Sequence, residues 1–218
     1  MKYRESIKLD EEEYDRLYGH LPNTQIELVK YLIDEYKVKE KDLREAIEKE
    51  KQIPWREVTF KLNILPWATP RARLCRKTGT FYVKGASKHR KMINKYIDSH
   101  HIIFTKTYFI VKTYQPTPKQ MSRLEKVLFE MGVYQPLSDP DWDNLGKTYS
   151  DMVQSSLLLN DNLIVRGHVE KYYSIKPRVE IIIQYQESFD CNFNKRRVTH
   201  TESYKRLIEG MKDNDAEI

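Results

Sequence analysis

The sequence predicts an α+β fold: a single mixed or antiparallel sheet backed by helices, with a helical extension in front of it. Three observations predict it. Stretches that alternate apolar and polar residues, such as Val58-Thr59-Phe60-Lys61-Leu62-Asn63-Ile64, read as half-buried strands. Stretches with apolar residues at helical spacing fall among them in irregular order, strand, strand, helix, strand, helix, helix, strand, strand, which is not one helix per strand. Charge changes sign near residue 52: residues 1–50 hold 10 Lys+Arg against 14 Asp+Glu, and residues 51–218 hold 28 against 18. The expected organisation is a helical extension over 1–52, a main domain over 53–187 and a polar tail over 188–218.

The extension reads as a small helical bundle or hairpin. Leu9-Asp10-Glu11-Glu12-Glu13-Tyr14 starts a helix with acids in its first turn, where they suit the macrodipole. Thr24 is the expected N-cap of a second helix, with Glu27 at the capping-box position and Ile26, Val29, Leu32, Ile33 and Tyr36 as its stripe. A third helix is expected over 40–51. Two roles are open for the extension, a partner-binding or DNA-orienting module and a solubilising or dimer-packing one, and its net negative charge argues against DNA contact.

In the main domain, residues 57–65 form a strand, followed by a loop rich in Pro and Arg (Pro66, Pro70, Arg71, Arg73). Lys77-Thr78-Gly79-Thr80 turns the chain into a short strand over 81–83, so 57–83 is expected as one long hairpin. A basic helix over 87–99 buries Met92, Ile93, Tyr96 and Ile97 and turns Lys88, Arg90, Lys91 and Lys95 to solvent or phosphate, with His89 within reach of phosphate. Residues 102–114 are β-branched and aromatic, hence a strand. Thr117-Pro118 opens a helix as N-cap and first residue. Leu124, Val127, Leu128 and Met131 are its core stripe, and Gly132 closes it. A further helix starts at Asn144 and buries Leu145, Tyr149, Met152 and Val153. Residues 163–173 and 178–186 read as antiparallel strands around Lys176-Pro177. The tail carries Lys195-Arg196-Arg197 and a short helix near 204–211.

Composition narrows the class. The chain of 218 residues carries a net charge of +6, and between Val58 and Ile97 there are ten basic residues and no acidic one. That asymmetry points to a nucleic-acid face on the main domain. Cys75 and Cys191 stand far apart, which disfavours a disulfide framework or a zinc ribbon and fits a cytoplasmic protein. No secretory leader is expected in the charged first 20 residues. No apolar run approaches the roughly 20 residues a membrane helix needs.

The chemistry concentrates in residues 139–171. Asp139, Asp141, Asp143 and Asp151 fall within thirteen residues, and Asp161 follows ten later. In an extended Pro-led turn, Asp141 and Asp143 would point the same way. Asp143 is the expected N-cap of the helix, and Lys147 and Asp151 then share one helical face. Trp142, between the two aspartates, is expected to pack into the core beneath them. Carboxylates in such number suit a hard divalent cation, and a lysine beside them can offset charge building on a phosphate. The plainer alternative is a solvated acidic turn and a capped helix, which serves as well for Asp139 and Asp151.

Asp141-x-Asp143-Asn144-Leu145-x-Lys147-x-x-x-Asp151, followed by Asn160-Asp161-x-x-Ile164-Val165 and Lys171, resembles the RusA family of Holliday-junction resolvases, many of them prophage-encoded. The likeness covers about residues 56–186. It implies a mixed sheet with the carboxylates at one edge and a homodimeric Mg²⁺-dependent endonuclease that cuts branched DNA. Asp141, Asp143 and Asp161 match the family's catalytic carboxylates, and Lys147 its essential lysine. Where the family carries a paired Asp-Asp this chain has Asn160-Asp161, and Asp161 matches the catalytic member.

The resulting reading is an enzyme. Asp141, Asp143 and Asp161 would hold Mg²⁺, or Mn²⁺ in its place, and orient the attacking water. Lys147 would approach the scissile phosphate. Arg71, Arg73, Arg76, Lys77, Lys88, Arg90, Lys91 and Lys171 would contact the DNA backbone whatever its sequence. A two-fold symmetric four-way junction needs two matched cuts, which a homodimer supplies. The alternatives are a non-catalytic basic DNA-binding protein and a nuclease for other branched or flapped DNA.

Overall fold

A computed structural model describes residues 23–70, 73–75, 80–82, 85–97, 102–154 and 156–215. They fall into two compact units that meet between Ile53 and Pro54. The first holds α1 (Asn23–Tyr36) and α2 (Glu40–Lys51). In α1 the stripe is narrower than expected: Ile26 and Ile33 are buried, while Leu32 and Tyr36 are exposed. The helix begins at Asn23, so Thr24 lies inside it and is not its N-cap. The acidic helix start expected at Leu9 lies outside the described residues.

The second unit is built on a four-stranded mixed sheet in the order β1-β6-β4-β5, with β1 Trp55–Leu62, β4 Thr107–Pro116, β5 Ile164–Ser174 and β6 Arg178–Gln186. β6 is antiparallel to β1 and β4, and β4 is parallel to β5. The two strands expected to pair around Lys176-Pro177 are therefore not neighbours, because β4 lies between them. Likewise β1 does not enter a hairpin with the residues after it. The short β2 (Arg73–Cys75) and β3 (Thr80–Tyr82) form a separate two-stranded sheet. In both cases the apolar alternation marked a strand, but the partner was chosen by burial on the sheet and not by nearness in sequence.

One face of the sheet carries the core. Thr107, Phe109, Val111 and Thr113 of β4 and Val179, Ile181 and Ile183 of β6 are buried in alternation. Against them pack α3 (Ala86–Ile97), through Ile93 and Ile97, and α5 (Trp142–Val153), through Leu145, Tyr149, Met152 and Val153. The burial expected for α5 is observed in full. Gly146 lets this helix come close to the sheet: a Cβ there would meet Val169 Cγ2 at 3.0 Å.

The parallel β4–β5 pair requires a long crossover, and that crossover carries the acidic segment. Within it lies α4 (Arg123–Glu130). It starts at Ser122 with a full capping box to Glu125, not at Thr117-Pro118. Most of its expected core stripe is outward: Leu124 is 68% and Met131 69% exposed, and Val127 is exposed as well, while Leu128 is partly buried. The helix docks by its other side, where Phe129 packs edge-on against Tyr173 and the Glu130 carboxylate accepts from Ser174 Oγ and the Ile175 N–H. Gly132, at φ 74°, closes it as expected. After β6 the chain forms α6 (Asn192–Thr199) and α7 (Glu202–Asp215) where a polar tail with one short helix was expected. Phe104 pins this segment to the body through rings at 6.0 Å (Phe189) and 5.4 Å (Tyr204).

Candidate active site

The site is assembled from α5, the turn before it and the single 3₁₀ turn Asp161–Leu163 that leads into edge strand β5. The helix begins two residues earlier than the sequence suggests. Asp141 occupies the N-cap position with extended backbone and no side-chain capping bond, and Asp143 lies in the first turn. The two aspartates are thus not alternate residues of an extended segment. The Trp142 indole does not pack beneath the site; it is 65% exposed. Trp142 shares a helical face with Leu145 and Tyr149, three and seven residues on, but as the first residue of α5 it lies at the helix end, beyond the buried stripe that begins at Leu145.

The turn is held from β5. Lys171 Nζ donates to Ser138 O at 2.8 Å and to Pro140 O at 3.2 Å, and Ser138 Oγ lies 2.6 Å from Tyr173 Oη. Lys171, expected at the DNA backbone, is occupied with the peptide that immediately precedes Asp141.

Along α5, Asp143, Lys147 and Asp151 recur every four residues. Asp151 is half-buried, and loss of water contact raises its carboxyl above the ordinary carboxylate value. The nearby negative charge of Asp161 raises it further, and the cations Lys147 and Arg90 oppose this. These interactions place Asp161, Lys147 and Arg90 each within electrostatic reach of Asp151. Asp151, which the sequence left evenly balanced between a site and a solvated turn, belongs to the group. Its helical spacing from Lys147 was the available signal. Arg90 reaches the site from α3 and donates to Asp151 O at 2.8 Å.

Asp161 is exposed, and the residue before it explains how it is presented. Asn160 Oδ1 accepts the Asn162 N–H at 3.1 Å and caps the 3₁₀ turn. A carboxylate could make the same bond, so the missing member of the acidic pair is replaced by a residue that keeps the turn.

The loop that leads toward the basic residues is stitched to α5. Tyr149 Oη accepts the Trp67 N–H at 3.0 Å, Thr148 Oγ1 accepts the Thr69 N–H at 2.8 Å, and Asn144 Nδ2 donates to Thr69 O at 3.2 Å. Residues 67–69 therefore emerge beside the acidic helix. Arg71, Arg76 and Lys77 lie outside the described residues, and Arg73 is placed in β2 by its backbone alone. Lys88 and Lys91 are exposed and line one shallow groove with Lys95. His89 does not face phosphate. It is buried between Trp67 and Tyr149, with ring centroids 5.1 and 6.0 Å away, and burial lowers its pKa.

Among the described residues no three His, Cys, Asp or Glu side chains are grouped closely enough to hold a metal ion. Asp141, Asp143 and Asp161 thus do not form a ready three-ligand cage. The donor chemistry nonetheless fits magnesium, which commonly uses one or two carboxylates with water and substrate phosphate completing its shell. The repulsion between Asp151 and Asp161 is the feature a bound cation would relieve.

Comparison with known proteins gives two findings. The chain is 37% identical over 76 residues to the uncharacterized protein YqaN of Bacillus subtilis (strain 168), a match that covers 34% of this chain and 54% of that protein. The family model described as endodeoxyribonuclease RusA matches residues 63–184, which contain the whole acidic segment, its lysine, strands β4 and β5 and most of β6. The chain belongs to the RusA family of endodeoxyribonucleases.

Proposed function

We propose that this chain is a divalent-metal-dependent endonuclease that resolves four-way DNA junctions in recombination and repair, acting as a homodimer in the cytoplasm. One observation carries the proposal: Asp143, Lys147 and Asp151 recur along α5 beside the turn that holds Asp161, with Arg90 bonded to Asp151 O, in the part of the chain that matches the nuclease family.

Asp141, Asp143 and Asp161 would hold Mg²⁺, with Asp151 beside them. When bound, the cation supplies activation of water and compensation of charge on the phosphate. The protein's own groups do the rest. Lys147 meets the negative charge that builds on the phosphate. Arg90, fixed to the backbone of α5, keeps the basic helix α3 alongside the site. Lys88, Lys91 and Lys95, at helical spacing, extend a cationic track for the DNA backbone, and Arg71, Arg73, Arg76 and Lys77 would continue it along the loop and the β2–β3 sheet. Lys171 orients Asp141 through its turn. The outward apolar face of α4, with Leu124, Val127 and Met131, supports self-association. The exposed free thiol of Cys191 fits a reducing compartment.

The test is cleavage of a synthetic four-way junction with Mg²⁺ and with a chelator, beside a flap and a plain duplex. Paired nicks near the branch, dependent on the cation, are expected. Binding without any cut would leave a non-catalytic DNA-binding protein, and preference for the flap would move the substrate to other branched DNA.

A further inference from the structure

A cleft of about 350 Å³ opens between the family domain and the helices that follow it. Its first wall is the 3₁₀ turn and the start of β5, with Asn160, Asn162, Leu163 and Val165. Its second wall is the segment from Phe189 to α7, with Phe193, Asn194 and Arg197. This second wall lies outside the residues matched to the family, which end at 184. The cleft is therefore formed partly by residues that the family model matches and partly by residues that it does not.

Three properties specify an occupant. The walls are apolar and aromatic, and Phe193 stands 63% exposed, an arrangement that suits the flat face of a ring. Carboxamides stand around it. Asn160 spends its oxygen on the Asn162 N–H, and Asn194 Nδ2 donates to Asp190 Oδ1 at 2.8 Å. That leaves the Asn160 amino group and the Asn194 carbonyl as donor and acceptor for the edge of a heterocycle. Charge at the rim is positive: Arg197 lines the cleft and closes the Lys195-Arg196-Arg197 run on α6. Asp190, the acid in the cleft, is set against Lys106 at 3.6 Å. Position completes the case, because Asn160 and Asn162 line the cleft while Asp161 between them faces the site.

We propose that this cleft takes an unpaired deoxynucleotide of the DNA being cut, its base against Phe193, its edge read by the carboxamides and its phosphate on Arg197. The proposal rests on the nuclease reading of the neighbouring carboxylates. Bases stack on aromatic side chains without regard to sequence, and each base–aromatic contact contributes appreciably to single-strand affinity. The C-terminal helices would thus give the nuclease a contact for a base that lies unpaired at the branch next to the cut.

The experiment uses the full chain in EDTA, so that binding is read without cleavage. Affinities are measured by anisotropy for a flap with an unpaired arm, a fully paired four-way junction, a plain duplex and a (dT)₆ oligonucleotide. Phe193→Ala, at an exposed position, is expected to bind the flap and the oligonucleotide about tenfold more weakly than the parent while changing duplex affinity less than about twofold. Asn162→Ala should shift in the same sense by a smaller factor. An abasic nucleotide at the unpaired position should weaken the parent similarly and add little to Phe193→Ala, because the two remove one contact. A 2-aminopurine signal at the branch of the fully paired junction would mean that the base is drawn out of an arm; a signal confined to the flap would mean that it is captured already unpaired. Equal affinity of parent and Phe193→Ala for flap and oligonucleotide would overturn the proposal, as would an abasic site without effect. Absence of metal-dependent cutting would instead overturn the nuclease reading, and the oligonucleotide result would still decide the cleft.

Discussion

Lys171 separates two roles that the sequence alone treats alike. If its ammonium holds the Ser138–Pro140 turn, Lys171→Met should disturb Asp141 and leave the count of phosphate contacts unchanged. A hydrogen bond from a charged donor nets roughly 1.5–3 kcal/mol. Both carbonyls here can regain water when the ammonium is removed, so about 1 kcal/mol each, or about 2 kcal/mol together, is the working figure. That corresponds to about a thirtyfold change in the population of the observed turn. Single-turnover cleavage of a junction at saturating enzyme should therefore fall by roughly ten- to thirtyfold. The slope of log K against log salt should stay the same. A lost phosphate contact would make it shallower by about 0.9. An unchanged cleavage rate with a shallower slope would refute the turn-holding role and return Lys171 to the DNA backbone.

Three further outcomes are expected. Asp161→Asn should lower metal-dependent cleavage by at least about a hundredfold, roughly 2.7 kcal/mol in the barrier. It should also bring the Asp151 carboxyl down toward its ordinary value in an NMR titration, since the charge of Asp161 helps raise it, whereas Asn160→Asp should keep the cap and the activity; cleavage unaffected by Asp161→Asn would remove that residue from the site. Gly146→Ala gains up to about 1 kcal/mol of helix propensity but drives a methyl to 3.0 Å from Val169. Overpacking costs about 1–3 kcal/mol, so urea unfolding should show a net loss near 1 kcal/mol, relieved by Val169→Ala. His89 is held neutral by burial, with its folded pKa below the ordinary 6.5. Between those values the unfolded chain binds a proton that the folded chain does not, so stability should fall as pH drops below about 6.5, and the fall should be smaller in His89→Leu. Equal pH dependence of the melting temperature in both proteins would show that His89 is not the group responsible.

The sequence by itself determined where the acidic cluster and its lysine fall and which side of several elements faces the core. Alternation at Val58, Phe60 and Leu62 and along β6 marked those strands, β-branched and aromatic composition marked β4, and the stripe Leu145, Tyr149, Met152, Val153 marked the side of α5 that meets them. The alternation and the stripe are local periodicities, set by side-chain direction within one element. The acidic spacing and its lysine likewise pointed to the residues that match the nuclease family. Tertiary structure decided what periodicity does not encode. β4 entered between β5 and β6, because pairing follows the burial of whole faces and not the shortest turn. Leu124, Val127 and Met131 were left in solvent once Phe129 and Glu130 secured α4 from its other side. His89 was turned inward by the face on which its helix docks, and Trp142, at the first position of α5, stayed outside the buried stripe. Lys171 met the turn before Asp141, and Asn160 and Asn162 met Phe193 and Arg197, across long loops that bring together residues far apart in the chain. Such meetings depend on the summed packing of the domain, and no single stretch of sequence contains it.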